Sequence, residues 1–445
     1  MPENTDLIII GAGPGGYRAA ELAAKAGLNV VIFECSEVGG TCLNVGCIPT
    51  KTYVHSATFK EARERQQEVV AQLRSGVEQI LSHPNITLVR GRAAFVDAHT
   101  ICCVGSDNVE ANETYTAPHI IIATGSETKW LPIEGSDSPR VVDSTGLLAL
   151  DMLPKRICII GAGVIGMEFA SVFHRFGSEV TVVEYLKECL PALDSDIAKR
   201  LRKVLEKRGI TFHLQCAVTG ISDSTVTFHD KKGSVQTVEA NIILMATGRK
   251  PRVQPDFQNA GFDYDERSGI KVGDHLETTV KGIYAIGDVN GRQMLAHAAE
   301  AQGIYVVKRI LEGEQVSSNL QSPLSAPMPA AIFTEPEAAC VGLSEDQLKA
   351  GVNGSPAGIA YECHKAFHRA NGKAMAMNET EGMVKLFSAP GAGRILGCHA
   401  FGAHSADIVQ EASVLMCMGA TVAQLRQMVH IHPTLSEILL AAAEA

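Results

Sequence analysis

Two cysteines five residues apart stand in the run Gly39-Gly40-Thr41-Cys42-Leu43-Asn44-Val45-Gly46-Cys47-Ile48-Pro49-Thr50-Lys51. Along a regular helix five residues rise about 7.5 Å and turn about 500°. That would set the two sulfurs on different sides, with Cα atoms beyond the roughly 7 Å reach of a bridge. Cys42 and Cys47 can pair only if the segment is distorted, and Gly46 between them with Pro49 just beyond permits an irregular first turn. A bridge made this way is strained and easily reduced. A thiolate near a helix N-terminus gains from the helix dipole, and Lys51 adds positive charge nearby. The pattern describes a redox-active dithiol. Metal ligation would want two further ligands at suitable spacing, and none is evident. Near the other end, His432-Pro433-Thr434-Leu435-Ser436-Glu437 holds a histidine before a proline with a carboxylate five residues on. This is the arrangement of an oriented general base: histidine exchanges protons near neutrality, and Glu437 can fix its tautomer. His430 reads as a capping or surface residue.

Strands and glycine turns must position these groups. Leu7-Ile8-Ile9-Ile10 is an apolar strand, followed by Gly11-Ala12-Gly13-Pro14-Gly15-Gly16, a small-residue helix from Tyr17 to Lys25, and a second strand, Val30–Phe33, that ends at Glu34. Gly11 permits the tight turn, Gly13 lets the backbone approach a pyrophosphate, and Gly16 lets helix pack on strand. The helix N-terminus offers free N–H groups to the phosphates, and Glu34 is placed to accept from ribose hydroxyls. The pattern recurs about 150 residues on, with strand Arg156–Ile160, loop Gly161-Ala162-Gly163-Val164-Ile165-Gly166, helix Met167–Phe176 and strand Val180–Val183 ending at Glu184. Each acid lies 23 residues after the first glycine of its loop. Two dinucleotide units imply two cofactors, or a cofactor and a co-substrate. Glu184 favours a free ribose 2′-hydroxyl, hence NAD, because a carboxylate repels a 2′-phosphate.

Two similar strands, Ile120–Gly125 and Ile242–Arg249, each run into Ala-Thr-Gly after one of these units. Ile283–Asp288 ends in Gly-Asp, an acid at the end of a strand where open α/β sheets bind ligands. The last 120 residues change character. Met383–Phe387 and Ile395–Phe401 alternate as antiparallel strands, and Ala406–Met418 and Val422–Val429 read as amphipathic helices. Cys102 and Cys103, adjacent in a strand, face opposite sides. Cys35, Cys158, Cys189, Cys216, Cys340, Cys363, Cys398 and Cys417 read as small apolar fillers.

Together these residues resemble the class I pyridine nucleotide–disulfide oxidoreductases, and among them the dihydrolipoamide dehydrogenase branch. The most specific marks are the 39–51 run, Tyr284–Val289 with Met294-Leu295-Ala296-His297, Thr334-Glu335-Pro336-Glu337, and the 432–437 run. The resemblance implies an α/β fold with two Rossmann-like domains, binding FAD and NAD, and a C-terminal α+β dimerisation domain. The expected boundaries are 1–150 for the FAD domain with the redox disulfide, 151–270 for the NAD domain, 271–325 for a central domain completing the FAD site, and 326–445 for dimerisation. It implies FAD contacts from Gly11, Gly13, Gly16, Glu34, Gly40, Thr41, Lys51, Ala93, Thr124, Gly125, Asp288, Met294, Leu295, Ala296 and His297. For NAD it implies Gly161, Gly163, Ile165, Gly166, Glu184 and Gly248. Asp288 would bind the ribityl chain, Glu168 would pair with Lys51 near flavin N5, Cys47 would lie nearest the flavin, and Cys42 would exchange with substrate. His432 with Glu437 would come from the partner subunit, so that only a homodimer is active. The expected partners are lipoyl domains of 2-oxo acid dehydrogenase or glycine cleavage complexes.

The chain departs from its siblings in places. No cysteine follows Cys417, so the C-terminal pairs of mercuric reductases and large thioredoxin reductases are missing. Glutathione and trypanothione reductases are similar in plan but generally use NADP, which Glu184 disfavours, and soluble transhydrogenases lack the dithiol. Between Lys51 and Gly91 the chain is about 25 residues shorter than its apparent relatives, in a loop-tolerant region bordering the disulfide. That leaves open another FAD-dependent disulfide, metal or quinone reductase of the same fold, or a flavoprotein scaffold subunit.

Composition bounds these readings. At roughly 100–200 residues per domain, 445 residues need several cores. Forty-one glycines and 5% aromatics suit an α/β protein with phosphate loops, and a net charge of −10 argues against nucleic-acid binding. No apolar run reaches the roughly 18–20 residues of a membrane span. Leu7–Ile10, with no basic segment before it, reads as a strand and not as a signal peptide. Twelve scattered cysteines fit reduced thiols and a cytoplasmic location.

Overall fold

A strand with no polar face must be covered on both sides, and Leu7–Ile10 is such a strand. In the computed structural model, which describes residues 3–105, 113–313, 322–351 and 358–445, Leu7, Ile8 and Ile9 are fully buried. Leu7–Ile10 is the middle of a five-stranded parallel sheet ordered Ile283–Ala285, His119–Ile122, Leu7–Ile10, Val30–Glu34, Ile86–Arg90. Parallel neighbours need a crossover, and helix Pro14–Lys25 supplies the first, burying Ala19, Ala20, Ala23 and Ala24. It begins three residues earlier than the sequence reading placed it, because Pro14 fits the first helical position. Helix Ala296–Glu312 lies close against it: a methyl on Gly303 would stand 2.6 Å from the Gly15 carbonyl oxygen. A smaller sheet (Glu3–Asn4, Thr114–Thr116, Thr100–Val104, Arg92–Phe95) accompanies these elements. In it Cys103 is buried and Cys102 half-buried. This compact unit consists of Met1–Lys129 and Arg249–Ala326.

The second unit joins Trp130–Gly248 to Pro327–Ala445. Its first part repeats the plan, with a parallel sheet ordered Val141–Val142, Ile242–Met245, Arg156–Ile160, Glu179–Glu184, Thr211–Leu214 and helix Val164–Arg175 as crossover. Its second part is a five-stranded antiparallel sheet ordered Ala330–Ile332, Ala338–Gly342, Ile395–Phe401, Met383–Ser388, Glu362–Phe367. Helices Ser405–Cys417 and Glu437–Glu444 share its apolar core through Ile408, Ala412, Ile438 and Leu439. The fold class is therefore as expected: two Rossmann-like sheets and a C-terminal α+β layer.

Two local expectations are corrected. The helix read over 422–429 runs only from Val422 to Leu425, after a capping box made by Thr421 and Gln424. Beyond it the bonds tighten, with Gln427 N donating to Gln424 O and Met428 N to Leu425 O. Val429 is 99% exposed, so no core among the described residues holds a further turn. Cys35 and Cys417 are exposed instead of filling cores, whereas Cys158, Cys189, Cys216, Cys340 and Cys398 are buried. Cys363 is half-buried.

The parts of the second unit are pinned by a buried cation. Lys385 Nζ donates to both carboxylate oxygens of Asp194 (2.8 and 2.9 Å) and to Glu345 Oε2 (2.6 Å). The Lys385 and Asp194 side chains are each 1% exposed. His399 Nδ1 accepts from Asp194 N at 3.0 Å, and burial pushes its pKa down to about 4, so it stays neutral. Lys385→Met strands a buried carboxylate and should cost about 3–5 kcal/mol in urea unfolding. The Lys385 hydrogen bond holds Glu345 down to about 2 from an ordinary 4.5. Its contribution is present above the unfolded value and is lost as pH falls towards about 2. A native-like unfolding midpoint for Lys385→Met at pH 7 would contradict this.

Candidate active site

The first glycine loop is shaped as its sequence requires. Gly11 sits at φ +105°, where a methyl would overlap the Ala123 carbonyl oxygen, and a methyl on Gly16 would overlap the Gly11 carbonyl oxygen. In front of Gly13 the nearest atom to an added Cβ is Gly40 Cα, at 4.0 Å. The space a side chain would fill is open to a ligand. Helix Pro14–Lys25 has no side-chain cap, so its first N–H groups can serve an anion. Glu34, 9% exposed, accepts from Ala12 N and Ser36 N, both at 2.8 Å. The loop's own backbone thus fixes the acid meant for ribose.

The second loop is built alike. Gly161 has φ +105°, an added methyl on Gly166 would overlap the Gly161 carbonyl oxygen, and nothing lies within 4 Å of a Cβ on Gly163. Glu184 accepts from Ala162 N (2.5 Å) and Leu186 N (2.6 Å). Helix Val164–Arg175 likewise lacks a side-chain cap, and Ile165 in its first turn is half-buried. Gly125 and Gly248, at φ +74° and +100°, also face open space. Both cradles therefore fit a dinucleotide.

Around the first cradle, Thr41, Met294 and His297 are exposed, and Leu295 and Ala296 are half-buried at the uncapped start of helix Ala296–Glu312. Thr124 Oγ1 donates to Arg252 O. The Ala93 side chain packs into the core, so only its backbone is available to a ligand. Asp288 follows strand Ile283–Ala285 in the short 3-10 turn Gly287–Asn290. Burial pushes its pKa up, against the Ser126 hydroxyl and Arg249, which pull it down.

The dithiol segment shows how the pair can meet. Helix Gly40–Val45 carries Cys42, helix Cys47–Val54 begins at Cys47, and Gly46 breaks the path between them at φ −135°, ψ −112°. The thiols stand as a hydrogen-bonded pair. That bond and burial push Cys42 far up, while the Lys51 charge opposes them. Cys47 stands at the N-terminus of its helix. A Cβ on Gly46 would stand 2.8 Å from the Thr41 carbonyl oxygen. Gly46→Ala should accordingly cost about 1–3 kcal/mol in unfolding and slow thiol exchange, as overpacking does; unchanged stability would contradict the tight break. Between the cysteines, Asn44 Nδ2 donates to Val38 O and Gly40 O (both 2.9 Å) and Asn44 Oδ1 accepts from Arg74 Nε (3.0 Å). Arg74 belongs to helix Phe59–Leu81.

At the C-terminus His432 Nδ1 lies 2.9 Å from Glu437 Oε1, and Thr434 N donates to Glu437 Oε2 at 2.8 Å. Thr434 N first, then His432, holds the Glu437 pKa below the ordinary carboxylate range. An ionised Glu437 makes Nδ1 the donor, which leaves Nε2 to accept a proton on a ring 78% exposed. His430 is not the free surface residue expected: its side chain is 7% exposed and its Nε2 lies 2.8 Å from Glu411 Oε1. Glu168 is 3% exposed and accepts from Phe333 N at 2.9 Å.

Residues 5–303 match the pyridine nucleotide-disulphide oxidoreductase family and residues 328–443 match its dimerisation domain. The chain belongs to this family. It is a flavoprotein disulfide oxidoreductase that uses FAD and NAD(H). The chain is 35% identical to mitochondrial dihydrolipoyl dehydrogenase of Pisum sativum over 473 aligned positions, covering 100% of this chain and 91% of that one. It is 37% identical to dihydrolipoyl dehydrogenase of Thermus scotoductus, covering 99% and 97%. Among solved structures, the Cu(II) complex of the HOCl-induced flavoprotein disulfide reductase RclA from Escherichia coli superposes with TM-score 0.89 at 32% identity, over 100% of this chain and 99% of that one.

Within this oxidoreductase, sequence reasoning missed Ser126, Asn290 and Gln302 and gave Arg249 no role. All four gather about Asp288. The signal for two of them was present, since Ser126 and Arg249 each follow an Ala-Thr-Gly. Among the described residues no helix is long and apolar enough to cross a membrane.

Proposed function

We propose that this oxidoreductase oxidises protein-bound dihydrolipoamide to lipoamide as NAD+ becomes NADH, working as a cytoplasmic homodimer with lipoyl domains of 2-oxo acid dehydrogenase or glycine cleavage complexes as partners. The observation that carries the reading is the hydrogen-bonded Cys42–Cys47 pair astride the Gly46 break. The resemblance to dihydrolipoyl dehydrogenases over nearly the whole chain supports the choice of dithiol.

His432 Nε2 takes the proton of one substrate thiol, oriented by Glu437 on Nδ1 across the dimer. The substrate thiolate attacks Cys42 Sγ of the oxidised pair, the Cys42–Cys47 bond breaks, and Cys47 leaves as thiolate. The second substrate sulfur then displaces Cys42, closing the lipoyl ring and leaving two electrons on the dithiol. Bound FAD supplies the two-electron transfer from the thiols to NAD+. The first glycine loop, Glu34 and Asp288 hold FAD, with Gly40, Thr41, Ala93, Thr124, Gly125 and Met294–His297 lining its site. The second loop, Ile165, Glu184 and Gly248 hold NAD. Lys51 and Glu168 would both serve the bound flavin, as the resemblance implies.

A second reading is reduction of another oxidant, such as Cu(II) or a quinone, by NADH through the same thiols. It is favoured by the solved structure that overlays this chain with TM-score 0.89, a Cu(II) complex of a flavoprotein disulfide reductase. Steady-state NAD+ reduction with dihydrolipoamide, run beside NADH-driven reduction of Cu(II) and NADPH-driven reduction of glutathione disulfide, separates the two. Turnover with dihydrolipoamide supports the first reading. Its absence alongside brisk Cu(II) reduction would hand the site to the second.

A further inference from the structure

We infer that Asp288 is presented to the flavin by a clamp of positioning residues from separate stretches of chain, in which Gln302 fixes its turn and Arg249, acting through Ser126, fixes its carboxylate. The inference rests on the reading of Asp288 as a flavin contact and adds to it the parts that make that contact possible.

The turn comes first. Gly287–Asn290 follows Ile286, which offers no side-chain cap, and the turn closes through Gly291 N on Asp288 O. So short a turn is weakly held by its own backbone, and buried side chains hold it here. Gln302 Oε1, on a fully buried residue, accepts from Gly287 N at 2.8 Å and from Asn290 Nδ2 at 2.9 Å. Asn290 Nδ2 also donates to Ala285 O at 3.0 Å, tying the turn back to its strand. Helix Ala296–Glu312, which carries Gln302, presses on the turn so closely that a methyl on Gly287 would stand 2.9 Å from Ala299 Cβ.

The carboxylate is held from the other side. Ser126 Oγ donates to Asp288 Oδ2 at 2.5 Å. Arg249 Nε donates to the same hydroxyl, and its Nη2 donates to Ser126 O, both at 2.7 Å. A hydroxyl has one proton. With the guanidinium filling a lone pair, that proton points at Asp288. The bond is charge-assisted at both ends, and it occupies Oδ2, which leaves Oδ1 for a ribityl hydroxyl. The same chain of donors pulls against the desolvation of Asp288 and keeps it an acceptor.

The test is the FAD dissociation constant of the holoenzyme, read from the gain in flavin fluorescence on dilution. Asp288→Asn should weaken binding, and Ser126→Ala and Gln302→Leu should each weaken it about 10- to 100-fold, as loss of a charge-assisted or buried hydrogen bond does. Gln302→Glu keeps the acceptor and should stay within about threefold of the native chain, a rescue that a packing role would not give. In the Asp288→Asn background, Ser126→Ala should add less than about twofold, because coupled partners are not additive. Native affinity in Ser126→Ala or Gln302→Leu overturns the clamp, as do additive losses in the cycle. So does Gln302→Glu matching Gln302→Leu in FAD loss while melting like the native protein. Native affinity in Asp288→Asn overturns the reading of Asp288 itself, and the clamp with it.

Discussion

Cys42→Ser oxidises dihydrolipoamide with NAD+ at least about 10³-fold more slowly than the native enzyme, the scale expected when a covalent nucleophile is removed. Cys42 is the half-buried member of the pair, and the Cys47 hydrogen bond and burial push its thiol pKa up. In the proposed mechanism it is the sulfur that forms the mixed disulfide with substrate and is then displaced as the lipoyl ring closes. A serine there cannot form that bond, and no other thiol replaces it, since Cys47 opens the following helix on the far side of Gly46. NADH oxidation by an artificial dye should survive in the same variant, because it needs the cradles at Gly13 and Gly163 and not the thiols. Steady-state assays of both reactions check this. Full dithiol oxidation by Cys42→Ser would remove the disulfide from the mechanism.

The second large effect is expected at His432. Its alanine variant should lose about 10²–10⁴ in dithiol oxidation, the range of a general base. Glu437→Gln should lose much less, because an amide oxygen can still accept from Nδ1. The ring is exposed and its Nδ1 is engaged by Glu437. Glu437 is held below its ordinary range, so it stays ionised through neutral pH and releases His432 only as pH falls through that depressed value. A loss under tenfold for His432→Ala would take it out of the role of base.

What could be read from residue order was local chemistry. The two glycine loops, their acids, the dithiol and the strand ends were legible because each depends on neighbours a few positions away. The fold class followed from them, since a buried parallel strand writes itself as an unbroken apolar run. The break at Gly46 was legible as a need: five residues of regular helix cannot bring two sulfurs together. What escaped was set by distant partners. Lys385 sits in an alternating strand and looks solvent-facing until Asp194, 191 positions away, is brought to it. His430 looks like a surface residue until Glu411 folds against it. Gln302 carries no motif that names Asp288 as its target, and the Ala-Thr-Gly before Ser126 and Arg249 marks their place without naming their partner. The short helix at Val422–Leu425 ended early for the converse reason, because nothing among the described residues covers Val429.

Anaerobic reductive titration with dithionite measures the central claim most directly. If Cys42 and Cys47 form a reversible disulfide working with bound FAD, each polypeptide takes up four electrons, and Cys42→Ser takes up two. Uptake of only two electrons by the native holoenzyme would contradict the account.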